Sequence, residues 1–437
     1  MYKKTIHDFI TFLKDCPTAF HTVKRISEIL EEQGYKRLWE SSRWEVQPEG
    51  KYYIIRNDSS LIAFHTGPVP GRWNFQIAAS HSDSPTFKIK ECPELEVRGK
   101  YIQLNTEGYG GMLCSTWFDR PLSVAGRLIV KEGEHFVSRI VKVDRDLLLI
   151  PSVAIHMNRN ANEGFAYNKQ IDLLPLFGGQ TAEKGAFLKQ IAEAAGVAAE
   201  EIRGSDLYLY SRQEPALWGA EEEFISAQRL DDLQCVYGTL QGFLQGRPND
   251  SVHVFACFDS EEVGSRTRQG ADSAFLSDIL RRFHGCLGGT QESFFQALSE
   301  SFLVSADNAH AVHPNHPEKS DPKNCVYMNE GIVIKSHAGQ KYISDGVSIA
   351  LFSELCKKAG APVQFFANRS DMAGGSTLGN LAISKIPLYG VDIGLPQLAM
   401  HSVCETAGVK DTDDLIRVMK AFYSSRFRET KGKIALC

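Results

Sequence analysis

No apolar run in this sequence approaches the ~20 residues needed to cross a bilayer, which excludes an integral helical membrane protein. There is no CxxC pair among the ten cysteines, so the redox motif built on that spacing is absent. The cysteines are scattered, and Cys235 and Cys257 sit inside apolar periodic stretches. Such placement suits reduced, buried thiols of a cytoplasmic protein. Charge of one sign is not in excess, with a formal net charge of −5, and nothing points to nucleic acid as a partner. The start, Met1-Tyr2-Lys3-Lys4, leads into an amphipathic pattern rather than the apolar core of a signal peptide. Internal repeats and low-complexity segments are missing as well.

What is present is ordinary globular material in more than one-core quantity. The 437 residues call for two domains, and 43% hydrophobic with 23% charged residues is a normal balance. Ile6, Phe9, Ile10 and Leu13 share one helical face; Pro17 breaks it, Val23, Ile26 and Leu30 resume it, and Gly34 reads as a stop. Strand-like runs follow at 52–55, 61–64 and 75–79. Between 87 and 225 short alternating segments, such as 127–131 and 147–150, are divided by Gly, Asn and charged turns, with a helix near 186–194. After 225 the rhythm becomes strand and helix in alternation, with apolar runs at 252–258, 302–306 and 386–393 and helices near 231–245, 270–283 and 347–359. Runs apolar on both faces and separated by helices predict an α/β fold, a mainly parallel sheet covered on both sides. The expected organisation is a discontinuous catalytic domain, 1–86 and 226–437, interrupted by a β-rich oligomerisation domain at 87–225. The polar stretch 313–323 reads as a loop.

Ionisable residues recur where those strands end, which is where open α/β sheets bind ligands. The run at 75–80 leads into His81-Ser82-Asp83, and 252–258 into Asp259-Ser260-Glu261-Glu262. The run at 302–306 leads into Asp307-Asn308, His401 lies beyond 391–394, and Asp231-Asp232 opens a helix. Two imidazoles with several carboxylates suit borderline divalent metals, zinc first. A pair of ions needs one His and one terminal carboxylate each, and a carboxylate shared between them. His81, Asp231, Glu262, Asp307 and His401 supply that count. Glu261 remains as a base, and Asp83 is placed to orient His81. Each signal alone has a plainer reading. Glu-Glu pairs at Glu31-Glu32 and Glu200-Glu201 are solvated helix faces, and His316 belongs to a solvated turn. The joint placement of the set is what points to a metal site.

The sequence resembles the M18 family of metallopeptidases, the aspartyl aminopeptidases. The resemblance is carried by His81-Ser82-Asp83-Ser84-Pro85, Gly110-Gly111 through Ser115-Thr116-Trp117-Phe118-Asp119-Arg120, Arg229-Leu230-Asp231-Asp232-Leu233 and Glu261-Glu262-Val263-Gly264-Ser265. It continues through Ser305-Ala306-Asp307-Asn308-Ala309-His310 and Pro396-Gln397-Leu398-Ala399-Met400-His401-Ser402. The blocks are collinear over nearly the whole chain. The resemblance implies His81 and Asp307, and His401 and Glu262, as terminal ligands, Asp231 as the bridge and Glu261 as the general base. The metals would be two zinc ions, with cobalt or manganese as alternatives at one site. It implies substrate contacts from His156, Lys335 and Tyr342, His156 reaching a neighbouring subunit's site, and a tetrahedral dodecamer built from dimers. The expected activity is removal of an acidic residue, Asp or Glu, from peptide N-termini. A related two-metal deacylase and a non-catalytic assembly protein are the alternatives. Departures from the family wording fall at Asp232, where Asn is frequent, and in the stretch 368–377. The Asp231-Asp232 peptide is expected to be cis.

Overall fold

The computed structural model describes residues 2–67 and 74–437. The two expected N-terminal helices form at Tyr2–Asp15 and Ala19–Glu32, and they bury Ile6, Phe9 and Leu13, then Val23, Ile26 and Leu30. Gly34 follows with φ 82, a left-handed conformation that suits glycine after a helix.

The large sheet has nine strands, in the order Lys36–Arg37, Lys51–Arg56, Ser60–Thr66, Val252–Phe258, Phe75–His81, Phe302–Ala306, Tyr389–Gly394, Ile332–Lys335, Val363–Phe366. Its centre is parallel, and antiparallel pairs appear where Ser60–Thr66 and Ile332–Lys335 join it, so the sheet is mixed. The central strands are buried on both faces because alternate residues feed two different cores. Ala78, Phe255 and Cys257 pack on one side with the helices Leu230–Gln245 and Asp411–Ser424. Ile77, Ala79, Val254 and Ala256 pack on the other with the helix Phe275–Cys286. Burial on both faces is why these strands read as continuous apolar runs rather than alternating ones. The helices Leu230–Gln245 and Asp411–Ser424 approach closely at Gly238 and Gly242, where an added Cβ would lie 2.4 Å from Leu415 and 2.2 Å from Met419.

Two local expectations shift. The run at 386–393 becomes a strand only from Tyr389, because Pro387 has no N–H to give a ladder. The helix Gln291–Ser299 was not anticipated; Thr290 and Ser293 close a reciprocal cap at its start.

A second, antiparallel sheet runs His135–Lys142, Leu122–Glu132, Ile202–Ser211, Thr86–Val97, Tyr101–Tyr109, Leu176–Gly178, with the helix Ala186–Ala195 against its own core of Phe87, Trp117, Leu128 and Ile191. A third sheet joins Ala216–Trp218 and Phe224–Ala227 to Glu405–Gly408, Pro396–Leu398 and Ala309–His310. The strand Phe224–Ala227 therefore spans the expected boundary at 225/226 and pairs with Glu405–Gly408. Among the described residues no helix is long and apolar enough to cross a membrane.

Candidate metal centre and active site

Three parallel strands deliver the ionisable residues to one place. Phe258 pairs with His81, and Ser305 with Ala79 and Asp392, so the strand ends lie level and the residues just beyond them converge. The helix Leu230–Gln245 enters from the side. Asp231 and Asp232 open it in non-helical conformations, and the peptide between them is cis, as the sequence reading expected. Ser84 Oγ holds the Asp231 carbonyl at 2.9 Å, and Asn308 Nδ2 holds that of Leu230 at 3.0 Å. His401 stands within the loop between the strands Pro396–Leu398 and Glu405–Gly408 of the third sheet, with φ 67.

The side chains brought together are those expected from sequence. His81 Nε2 lies 3.5 Å from Asp231 Oδ1, and His401 Nε2 lies 3.3 Å from both Asp231 Oδ2 and Glu262 Oε2. Each Asp231 oxygen thus faces a different imidazole. A tetrahedral zinc with bonds of ~2.0–2.1 Å has ligand–ligand edges of ~3.4 Å, and these separations match such edges. The described residues form three potential ligand groups: His81, Asp231, Asp232 and Asp307; His81, Glu261 and Glu262; and Asp231, Glu262 and His401. Asp231 Oδ1, Asp232 Oδ1 and Glu262 Oε1 are buried without a hydrogen-bond donor. Buried carboxylate oxygens with no donor are costly unless a cation satisfies them, so the residues present fit divalent metal ions.

Hydrogen bonds fix the imidazole tautomers. His401 Nδ1 donates to the Gly111 carbonyl at 2.8 Å, and His81 Nδ1 to the Asp83 carbonyl at 3.0 Å. A carbonyl only accepts, so Nδ1 carries the proton and each Nε2 lone pair faces the cluster. The Asp83 carboxylate does something the sequence reading did not foresee. It lies 3.6 Å from His81 Nδ1, and it accepts the backbone N–H groups of Glu261 at 3.1 Å and Glu262 at 3.2 Å.

Burial pushes the Glu261 carboxyl up to about 8, with Asp307, Asp83 and Asp231 adding to the rise against His81. Burial and Asp231 likewise push Glu262 well above the carboxylate range. Burial works the same way on Asp231, but His401 and His81 override it and hold that carboxyl below its ordinary value. His401 goes up to about 9, because Asp231 outweighs burial. So many carboxylates around two imidazoles repel one another, and cations relieve that repulsion.

Lys335 and Tyr342 reach the edge of the cluster. Lys335 is buried; its Nζ donates to the Asn308 carbonyl at 2.7 Å, lies 3.4 Å from Asp307 Oδ1 and 5.5 Å from the Tyr342 ring centre. Burial disfavours its charge, but Asp307 more than compensates and raises its pKa. His156 is not brought in. It sits in an exposed turn beside exposed Ile155 and Met157 and makes no side-chain hydrogen bond or ion pair within the described residues. His316 is exposed and 3.2 Å from Glu318, a solvated turn as expected. Three participants were missed. Glu405 Oε2 and Oε1 accept the backbone N–H groups of Asp231 and His401. Tyr109 Oη donates to Asp83 Oδ2 at 2.7 Å. His310 carries a pKa lowered by burial and Lys335, in the field of Asp231, Asp307 and His401. Only His310 stood in a block already singled out.

The aminopeptidase I zinc metalloprotease (M18) family matches residues 12–423. The chain belongs to this family. A relative from Clostridium acetobutylicum, "Probable M18 family aminopeptidase 2", is 46% identical to this M18 chain over 421 residues, 95% of the chain and 97% of the relative. One of the same name from Pseudomonas aeruginosa is 40% identical over 422 residues, again 95% and 97%. Among solved structures, that of the Ape4 and Nbr1 complex superposes with a TM-score of 0.93 at 34% identity, covering 97% of this chain and 86% of that one. The Saccharomyces mApe1 dodecamer superposes with a TM-score of 0.84 at 26% identity, covering 97% of both.

Proposed function

We propose that this M18 aminopeptidase removes acidic residues, Asp or Glu, from peptide N-termini, with two divalent ions held by His81 and Asp307, by His401 and Glu262, and by Asp231 between them. The observation that carries this reading is Asp231, whose two oxygens face different imidazoles from the floor of one buried cluster. When bound, the two ions polarise the scissile carbonyl and lower the pKa of the attacking water. Glu261 has no ligand role in this assignment. Its carboxylate lies beside Glu262 with a raised proton affinity, which suits a group that takes the water's proton and hands it to the leaving amine. Asp83 holds the backbone of that base and orients His81 through its carbonyl.

Lys335 supports the acidic preference. An ammonium has three donors, and the Asn308 carbonyl and Asp307 engage two of them, which leaves one for a substrate carboxylate. Tyr342, and His156 from a neighbouring copy, complete the substrate side in this reading. The assembly is a tetrahedral dodecamer built from dimers, supported by likeness to the mApe1 dodecamer. We assign residues 1–86 and 226–437 to the catalytic unit and 87–225 to the unit that makes the dimer. Ten unpaired cysteines support a cytoplasmic setting.

The test is kinetics of zinc-reconstituted protein on aminoacyl substrates with Asp, Glu, Asn, Leu and Lys at the N-terminus, alongside N-acyl amino acids. Highest kcat/KM on Asp or Glu supports the proposal. Preference for Leu overturns the acidic specificity, and turnover of N-acyl amino acids alone overturns the aminopeptidase.

A further inference from the structure

The strand Tyr101–Tyr109 belongs to the antiparallel sheet, yet its last residue and the two glycines after it meet Asp83, Glu262 and His401 in turn. Tyr109 Oη donates to Asp83 Oδ2 at 2.7 Å. Gly110, at φ 75, brings the backbone so near that an added Cβ would lie 3.1 Å from Glu262 Cβ. The Gly111 carbonyl accepts the proton of His401 Nδ1.

Tyr109 has the sharpest part. The Asp83 carboxylate receives three donors, the N–H groups of Glu261 and Glu262 and the Tyr109 hydroxyl, and the hydroxyl is the nearest of them. A cavity of about 40 Å³ borders Asp83, Tyr109, Tyr208 and Asp259. The hydroxyl adds a third restraint to the two backbone N–H groups, which hold one oxygen each, and it shares Oδ2 with that of Glu262. Tyr109 is in turn held edge-on to Tyr208 of the same sheet, at 5.6 Å between ring centres. The Tyr208 hydroxyl makes no side-chain hydrogen bond among the described residues.

We propose that Tyr109 is a positioning residue: through Asp83 it holds the Glu261-Glu262 turn in register with the metals, so the antiparallel sheet is a working part of the centre. The inference rests on the assignment of Glu262 as ligand and Glu261 as base. The role is one of positioning, since the Tyr109 hydroxyl bonds to Asp83, which lies outside the assigned ligand set.

The experiment is Tyr109→Phe in the full-length, zinc-loaded protein, with Tyr208→Phe as the packing control. Three quantities are read: kcat and KM on an aminoacyl substrate, zinc affinity by chelator competition, and thermal unfolding. Loss of a hydrogen bond to a buried carboxylate that supports a ligand should cut kcat ~10-fold and zinc affinity ~10-fold. KM and the unfolding temperature should stay near those of the unsubstituted protein, and Tyr208→Phe should change none of these. In an Asp83→Ala background, which removes the acceptor of the Tyr109 hydroxyl, Tyr109→Phe should add nothing to the loss of zinc affinity. Unchanged kcat and zinc affinity overturn the proposal, as does a full additive effect beside Asp83→Ala. If the unsubstituted protein cleaves no aminoacyl substrate while Tyr109→Phe still weakens zinc, the proposed activity fails and the positioning role stands.

Discussion

Glu405 Oε2 accepts the backbone N–H of Asp231 at 3.0 Å, tying the strand Glu405–Gly408 to the first turn of a helix 174 residues away in sequence. Its other oxygen accepts the N–H of His401 at 2.7 Å. One buried carboxylate therefore holds the backbones of two candidate ligands. Glu405→Ala leaves two buried N–H groups without acceptors, at about 1–3 kcal/mol each. Zinc affinity should fall ~10–100-fold and the unfolding temperature should drop. Glu405→Gln, which retains one acceptor, should fall between. Chelator competition and calorimetry read both effects, and unchanged zinc affinity in the alanine variant contradicts the link.

Glu261→Gln separates base from ligand. The amide keeps the size and the Asp83 contact of the backbone but cannot take a proton. Turnover should fall by ~10²–10⁴ with zinc content unchanged. Normal kcat with verified zinc refutes the role assigned to Glu261.

His156 tests whether sites are shared between copies. It is exposed and makes no side-chain hydrogen bond or ion pair among the described residues, and it stands beside Met157, which is 78% exposed. His156→Ala should lower kcat/KM and leave zinc content intact. Mixed with Glu261→Gln protein, it should regain part of the activity, because some sites combine an intact base with a neighbour's intact His156. No recovery after proven subunit exchange returns His156 to a structural role.

The acid limb of stability has a source at the other end of the sheet. His65 and His253 are cross-strand partners with ring centres 4.6 Å apart, and both His253 nitrogens are buried without a hydrogen-bond partner among the described residues. Burial pushes His65 down to about 4, helped by Lys51, and pushes His253 well below its ordinary value, helped by His65. Tyr35 Oη, at 3.3 Å from His65 Nδ1, and the rings of Phe243 and Tyr423 complete the surroundings. Both folded-state values lie below 6.5, so the unfolded chain binds more protons between pH 6.5 and 4. Stability is full above 6.5 and falls as pH drops through that window, by up to about 1.4 kcal/mol per pH unit for each histidine. His253→Phe should flatten the limb relative to the parent when both are metal-free. Identical pH profiles by denaturant unfolding contradict the assignment.

Much of the site was legible because each strand carries its own chemistry at its end. A run buried on both faces announces a central strand, and the acid or imidazole just after it announces the ligand-binding edge. His81, Glu261, Glu262 and Asp307 needed only that rule, and Asp231 needed a helix start beside it. Glu405 and Tyr109 left no such mark, and Gly111 stood in a family block without showing its role. Their roles are hydrogen bonds to residues 174, 26 and 290 positions away, and a tyrosine or glutamate in a short strand looks alike with or without such a partner. The strand start at Tyr389 was decided locally by Pro387, a signal present but overridden by the apolar run around it.

The sequence by itself determined the α/β class and the candidate metal ligands, because hydrophobic periodicity and strand-end chemistry are local properties of the chain, and its collinear motif blocks carried the resemblance to the family. The tertiary structure alone decided how the centre is braced. The Asp83 carboxylate is turned to the Glu261-Glu262 backbone, Tyr109 comes from another sheet and Glu405 from a third, and such long-range hydrogen bonds exist only once packing has brought distant segments within hydrogen-bond distance of one another.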